Sequence, residues 1–437
     1  MRILIVTQIF RPEMGAQSNR LYPIVRQLAL AGHEVFVATG MPNYPEGIVF
    51  PAYQGKRTLK EQTDGYTIFR TACYTAPRNK SKWSQLRSYL SFMPAALRSG
   101  MRAGKIDLVF VTSPPLFSAI PAILLASLRR ARLVLDIRDL WPDEIVACGG
   151  ATADSTPVRV MKALERLSYR AATAITCTTQ SFIDTLLERG VPRDKTILIP
   201  NGADLQIFQP LSPHNPIVAE YPFGDRFVVM YSGVLGIKHG LEVVFEAARL
   251  LRDEKNILFF FLGSGARREA LQEIANRQGL SNVIFGGERK VEDIPSLLAR
   301  ADICLTALLP DPYLEKIITV KVFEYLACAK PVVGAVTGET ANLLASSGAG
   351  IVVSPNDGVG LAKGIRELYD DPARRFVMGR LGRRYVAENF SRVVWATRLE
   401  QKLCEVGTKA IEASPPATTA RFRSPLPFWL KRSGQTQ

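Results

Sequence analysis

Apolar positions in this chain come as short unbroken runs, each followed by a turn and then by apolar residues at helical spacing. Arg2–Thr7 (RILIVT) is apolar nearly throughout, the pattern of a parallel strand covered on both faces. A loop with Pro12 and Gly15-Ala16 leads to Leu21, Ile24, Val25, Leu28 and Leu30 on one helical stripe. Gly32-His33 ends that helix, and Glu34–Thr39 is the next strand. Strand, glycine turn, helix, strand opens a βαβ unit in which small residues let a phosphate approach the backbone. A full G-x-G-x-x-G is missing, so no dinucleotide site is expected, and Gly15 reads equally as a plain turn glycine. Further strands are expected at Asp107–Thr112, Arg132–Asp136, Ala174–Cys177 and Ile197–Ile199. Gln209–Tyr221, with Pro210, Pro213 and Pro216, lacks periodicity and reads as a linker. The pattern then restarts with Phe227–Ser232, a glycine-rich turn from Gly233 to Gly240, and strands at Asn256–Leu262, Val283–Phe285 and Ile303–Leu305. The economical architecture is α/β, with two Rossmann-like, doubly wound domains facing across a cleft.

The most informative stretch is Thr319–Val333, TVKVFEYLACAKPVV. Read as a helix, it puts Val322, Phe323, Leu326 and Ala327 on a core stripe and Lys321 with Glu324 on the other face. Pro331 stops it and starts a short buried strand. The unpaired N–H groups at its start favour an anion, so a diphosphate fits there while Glu324 accepts hydrogen bonds from sugar hydroxyls. A surface Lys–Glu pair is the competing account. Asp136, Arg138 and Asp139 follow a strand end, where open α/β sheets bind ligands; the alternative is an Arg–Asp pair that only fixes the loop.

Charge narrows the partners. With 55 Lys and Arg against 40 Asp and Glu, the chain carries +15, which suggests an anionic partner. No nucleic-acid recognition module accompanies that charge. Residues 78–105 combine Lys80, Lys82, Arg87, Arg98 and Arg102 with Trp83, Tyr89, Phe92 and Met93, the pattern of a basic amphipathic helix on an anionic membrane. A helix packed on the sheet with a solvated basic side is the alternative. The apolar run Leu116–Leu128 is too short to span a bilayer. Six scattered cysteines without a C-x-x-C pair suit a reduced compartment, and three histidines at unrelated spacing do not read as a metal cage.

Taken in order, these motifs resemble the family-four retaining glycosyltransferases of the GT-B fold. The carriers are the Gly15-Ala16 loop, GHEVFVAT at 32–39, MPNYPEG at 41–47, TSPP at 112–115, DIRDLWPD at 136–143, IPNGAD at 199–204, SGVLGIKHG at 232–240, FLGSG at 261–265 and KVFEYLACAKPVV at 321–333. They cover roughly residues 1–400. DLWPD, MPNYP and K-x-F-E together look most like the bacterial enzymes that transfer N-acetyl-fucosamine or related amino-deoxy sugars in surface-polysaccharide assembly.

The resemblance implies an acceptor domain at 1–208, a linker at 209–222, a nucleotide-sugar domain at 223–384, a helix at 385–412 crossing back to the first domain, and a basic tail at 413–437. It implies a nucleotide-sugar donor, UDP-linked, and a polyprenyl-diphosphate-linked saccharide acceptor, with no metal required. It further implies a cytoplasmic enzyme, peripheral on the inner face of the cytoplasmic membrane. By likeness Glu324 binds the donor ribose. Lys238, Lys321, Gly233 and the Gly15-Ala16 amides surround the diphosphate, the backbone at Lys290-Val291 reads the base, and Asp139 positions acceptor or sugar. Two departures stand out. The first Glu of the family's E-x7-E pattern falls on Lys316, with Glu315 beside it as a substitute, and an arginine common after the donor-strand glycine is Val234. A GT-B sugar-nucleotide epimerase and a catalytically inactive membrane-associated scaffold are the other readings.

Overall fold

A computed structural model describes residues 1–63, 65–77 and 82–408, and only the backbone of Lys82. The apolar runs become the strands of two sheets. The first holds β1 (Arg2–Val6), β2 (Glu34–Gly40), β3 (Thr58–Thr63), β4 (Tyr66–Thr71), β5 (Leu108–Ser113), β6 (Arg132–Ile137), β7 (Ala174–Cys177) and β8 (Thr196–Leu198), in the order β3-β4-β2-β1-β5-β6-β7-β8. All its pairs are parallel except β3 with β4. The second holds β9 (Phe227–Ser232), β10 (Ile257–Leu262), β11 (Val283–Gly287), β12 (Ile303–Ala307), β13 (Val332–Ala335) and β14 (Gly350–Val353), all parallel, in the order β11-β10-β9-β12-β13-β14.

Strand alternation divides the core by face. Ile3 and Ile5 of β1 pack with Leu21, Ile24 and Leu28, whereas Leu4 and Val6 pack with Phe92, Ala122 and Leu125. Each such side chain buried contributes about 1.5–3 kcal/mol, so a one-residue slip in register would cost the whole set. The hairpin β3–β4 and the edge strand β14 are not in the periodicity reading. β3 is TLKEQT, partly to fully exposed along its length, and an edge strand facing water needs no apolar run.

Near the C-terminus the helix Pro372–Asn389 stops at Phe390-Ser391, and a second helix, Arg392–Thr408, packs Leu399 and Leu403 against Ile3, Ile5 and Leu21 of the first sheet. The crossing element therefore starts at Arg392 rather than 385. Its pivot is clasped by the IPNGAD loop. The Ala203 amide donates to Phe390 O at 3.0 Å and the Arg392 amide to Ala203 O at 3.1 Å. A Cβ on Gly202 would lie 2.0 Å from Phe390 O, so only glycine fits there. Among the described residues no helix is long and apolar enough to cross a membrane. The 413–437 tail lies outside the described residues.

Candidate active site in the cleft between the two sheets

In each sheet the strand order reverses beside its first strand, between β1 and β5 and between β9 and β12. Ligands bind at the carboxyl ends of strands at such switch points. Here both sets of ends line one cleft of about 880 Å³. From the first half come Gly15, Ala16, Arg138, Asp139 and Glu144; from the second, Gly233, Lys238, Val291, Lys321 and Glu324.

The second half supplies the cationic wall. Gly233 follows β9 at φ +141°, and a Cβ on it would meet Lys321 Cε at 3.0 Å and Nζ at 3.2 Å, so glycine lets the ammonium reach the loop backbone. Lys321 lies with its Nζ 3.9 Å from the Tyr231 ring centroid and donates to the Tyr231 hydroxyl, which donates to Val234 O at 2.8 Å. Burial and the charge on Lys238 push the Lys321 ammonium well below its usual pKa, against the pull of Glu324. Burial and the same two lysines hold the buried His239 well below its ordinary value, which favours a neutral ring. Lys321 is buried, so the surface-pair account of Lys321 and Glu324 does not hold. Glu324 keeps a partly exposed carboxylate, 3.4 Å from the Arg392 guanidinium. Burial raises its pKa against the attraction of Arg392 and Lys321.

The first half supplies carboxylates. Asp139 follows β6 and accepts from the Tyr313 hydroxyl at 3.4 Å. Burial, and then the neighbouring Glu144 charge, push its pKa up to about 7, opposed by Lys238 and Arg138. Glu144 reaches across the cleft to Lys238, Oε1 to Nζ 2.8 Å. Burial alone would lower the Lys238 pKa, but Glu144 and Asp139 outweigh it and raise it. Asp136 is not part of this chemistry. It is fully buried, 2.8 Å from Arg20, and accepts from Thr112 at 3.1 Å and Thr176 at 2.7 Å. Arg20 in turn holds the carbonyls of Ile199 and Pro200, so this pair braces the IPNGAD loop. The Arg138 guanidinium donates to Pro114 O at 2.7 Å, a loop-fixing role as well.

The remaining candidates separate. Gly15 caps the helix Ala16–Leu30 without a side-chain bond, leaving its first N–H groups to the cleft. Val291 lines the cleft, whereas Lys290 is exposed and is not among the lining residues. Glu315 and Lys316 are drawn away from it. Glu315 is exposed and accepts from Thr337 at 3.2 Å, and the Lys316 ammonium donates to Thr185 Oγ1 at 2.9 Å. Neither side chain of the short 3-10 turn Leu314–Lys316 lines the cleft.

The basic amphipathic stretch forms the helix Lys82–Met101. Phe92 is in the core, and Tyr89 packs against Trp141 at 5.5 Å beside the cleft, so neither belongs to an outer face. The outer stripe is Trp83, Arg87, Leu90, Pro94, Arg98 and Met101, all exposed, with Leu124 and Leu128 exposed on the neighbouring helix. Arg102 is exposed too, lying 4.9 Å from the Phe69 ring centroid. Lys80 and the Lys82 side chain lie outside the described residues.

Periodicity alone misses Glu144, Tyr231, Tyr313 and Arg392. Glu144 sits next to the DLWPD motif, a usable signal; Arg392 is 68 residues from Glu324 and has none.

Comparison with known proteins follows the same division. Residues 15–202 match the glycosyl transferase 4-like domain, and residues 226–371 match glycosyl transferases group 1. A putative colanic acid biosynthesis glycosyl transferase, WcaI of Escherichia coli K12, is 29% identical over 309 residues, 69% of this chain and 75% of the relative. Sucrose-phosphate synthase of Thermosynechococcus elongatus superposes with a TM-score of 0.72 at 19% identity, over 93% of this chain and 98% of its own. Anabaena HepE, solved in complex with UDP-glucose, gives a TM-score of 0.68 at 18% identity, over 93% of this chain and 100% of its own.

Proposed function

This chain belongs to the GT-B glycosyltransferases, with a 4-like first half and a group 1 second half, and we propose that it moves an N-acetylated amino-deoxy hexose from a UDP-linked donor to a polyprenyl-diphosphate-linked saccharide, with retention, in surface-polysaccharide assembly. The observation that carries the donor reading is the buried Lys321 against the Gly233 loop, with Lys238 as the second cation. An ammonium held below its usual pKa by burial and then by a like charge gains most from an arriving dianion. The start of the helix Val320–Ala327 adds its dipole to the same spot. These groups do for the diphosphate what a divalent cation does elsewhere, and they stabilise the negative charge that develops on the leaving group.

In this reading Glu324 holds the ribose hydroxyls and Val291 borders the base. The acceptor enters from the side of Asp139, Tyr89 and Trp141. Its hydroxyl attacks the anomeric carbon on the face the diphosphate leaves, and a departing phosphate oxygen takes the hydroxyl proton. Asp139, near neutrality in its titration, accepts or donates a hydrogen bond to a sugar hydroxyl without a fixed charge. Glu144 holds Lys238 until the donor arrives, so the diphosphate and Glu144 compete for one cation. The outward stripe of Trp83, Arg87, Leu90 and Arg98 suits the inner face of an anionic membrane, where a polyprenyl acceptor lies.

The test is calorimetric binding of UDP, GDP and ADP, then transfer from the conjugates of whichever base binds, scored by anomeric configuration. UDP binding, with transfer from an N-acetylated amino-deoxy conjugate, is the expected result. Binding of another base alone, or an inverted product, overturns the reading. Charge removal at Arg87 and Arg98 is expected to release the chain from anionic vesicles, and unchanged sedimentation with them removes the membrane part.

A further inference from the structure

Away from the cleft, the fold brings together three side chains of the metal-ligating type. His33 sits in the turn between the helix Ala16–Leu30 and β2, and Glu400 and Cys404 lie one helical turn apart on the helix Arg392–Thr408. His33 Nε2 is 3.0 Å from Glu400 Oε1 and 3.7 Å from Cys404 Sγ, and that sulfur is 3.2 Å from the same carboxylate oxygen. All three are partly buried, and their donor atoms lie within 4.8 Å of one another.

A tetrahedral ion with metal–nitrogen and metal–oxygen bonds of about 2.0–2.2 Å and a metal–sulfur bond of about 2.3 Å separates such donors by roughly 3.3–3.6 Å. The triangle here departs from that by a few tenths of an ångström, which side-chain torsions absorb. Nitrogen, oxygen and sulfur together suit a borderline divalent transition ion better than calcium or magnesium. We propose that His33, Glu400 and Cys404 form a zinc-type site, with water as the fourth ligand, that fastens the crossing helix to the first sheet. Loading takes the proton from the Cys404 thiol and uses the neutral Nε2 of His33. The site is independent of the proposed sugar transfer, because these residues lie outside the cleft lining.

Cobalt(II) titrated into the chelator-stripped full chain reports it directly. One equivalent is expected to give a thiolate-to-cobalt charge-transfer band with tetrahedral visible bands, bleached by zinc. Cys404→Ser is expected to lose the charge-transfer band, and His33→Gln to weaken binding at least tenfold, while Cys148→Ser keeps both. Circular dichroism checks that each variant is folded; where one is not, Glu400→Gln in its place is expected to weaken cobalt binding at least tenfold. No charge-transfer band in the native chain, or a band that survives Cys404→Ser, overturns the site.

Discussion

The two halves of the cleft handle charge in opposite ways. In the first half the buried charges are matched on the spot: Arg20 with Asp136, and Arg70 with Glu61 at 2.5 Å. Glu13 likewise accepts from the amides of Asn43 and Tyr44 at 2.9 Å. Arg20 and Glu13 each hold a loop, and the Arg70–Glu61 pair ties β4 to β3. In the second half, Lys321 is buried against a tyrosine and a glycine loop, with Lys238 pressing on its charge. Matched charges hold shape; an ammonium kept under electrostatic pressure waits for an anion. The first half therefore braces its loops with matched charges, and the second keeps a cation available for an anion, as the proposed donor site requires.

Breaking the matched side should cost stability most. Arg20→Ala leaves Asp136 buried without its partner, and a loss of about 3–5 kcal/mol in unfolding free energy is expected from denaturant titration. The unmatched side should respond in the reverse sense. Lys321→Met keeps the volume and removes a disfavoured charge, so the ligand-free melting temperature should hold or rise. Nucleotide affinity should meanwhile fall by about 2–3 kcal/mol, the worth of a hydrogen bond to a charged group. A variant that loses stability and keeps its nucleotide affinity would erase the contrast between the halves.

Glu144→Gln sharpens it further. Freed from its cross-cleft partner, Lys238 should bind the diphosphate about tenfold more tightly, roughly 1.4 kcal/mol by calorimetry. Unchanged or weaker affinity would mean that Glu144 positions Lys238 instead of competing for it.

The last effect concerns Asp139, a first-half carboxylate whose burial outweighs its cationic neighbours. Its pKa in the fold, about 7, lies above the unfolded value, so the folded state binds the extra proton. Between about pH 4 and 7 this term makes stability fall as pH rises, and above 7 the penalty is complete. Asp139→Asn should therefore raise the unfolding free energy at pH 8 and change little at pH 4. Equal shifts at both pH values would place the effect in packing rather than ionisation.

How much of this is legible without coordinates depends on how local the signal is. The strand runs, the turn glycines Gly15 and Gly233, and the Lys321–Glu324 helix follow from periodicity and backbone requirements that act within a few residues. That is why two doubly wound halves and a donor wall could be expected from the chain alone. The polar edge strand Thr58–Thr63 escaped because water, not a core, satisfies its outer side. Glu315 and Lys316 looked like neighbours of the donor by count along the chain, but neither side chain of their 3-10 turn lines the cleft. Three groupings were decided only by tertiary structure: Glu144 with Lys238, Glu324 with Arg392, and His33 with Glu400 and Cys404. Each joins segments tens to hundreds of residues apart. Such meetings depend on how the halves and the crossing helix pack, and no local pattern of hydrophobic and polar positions encodes them.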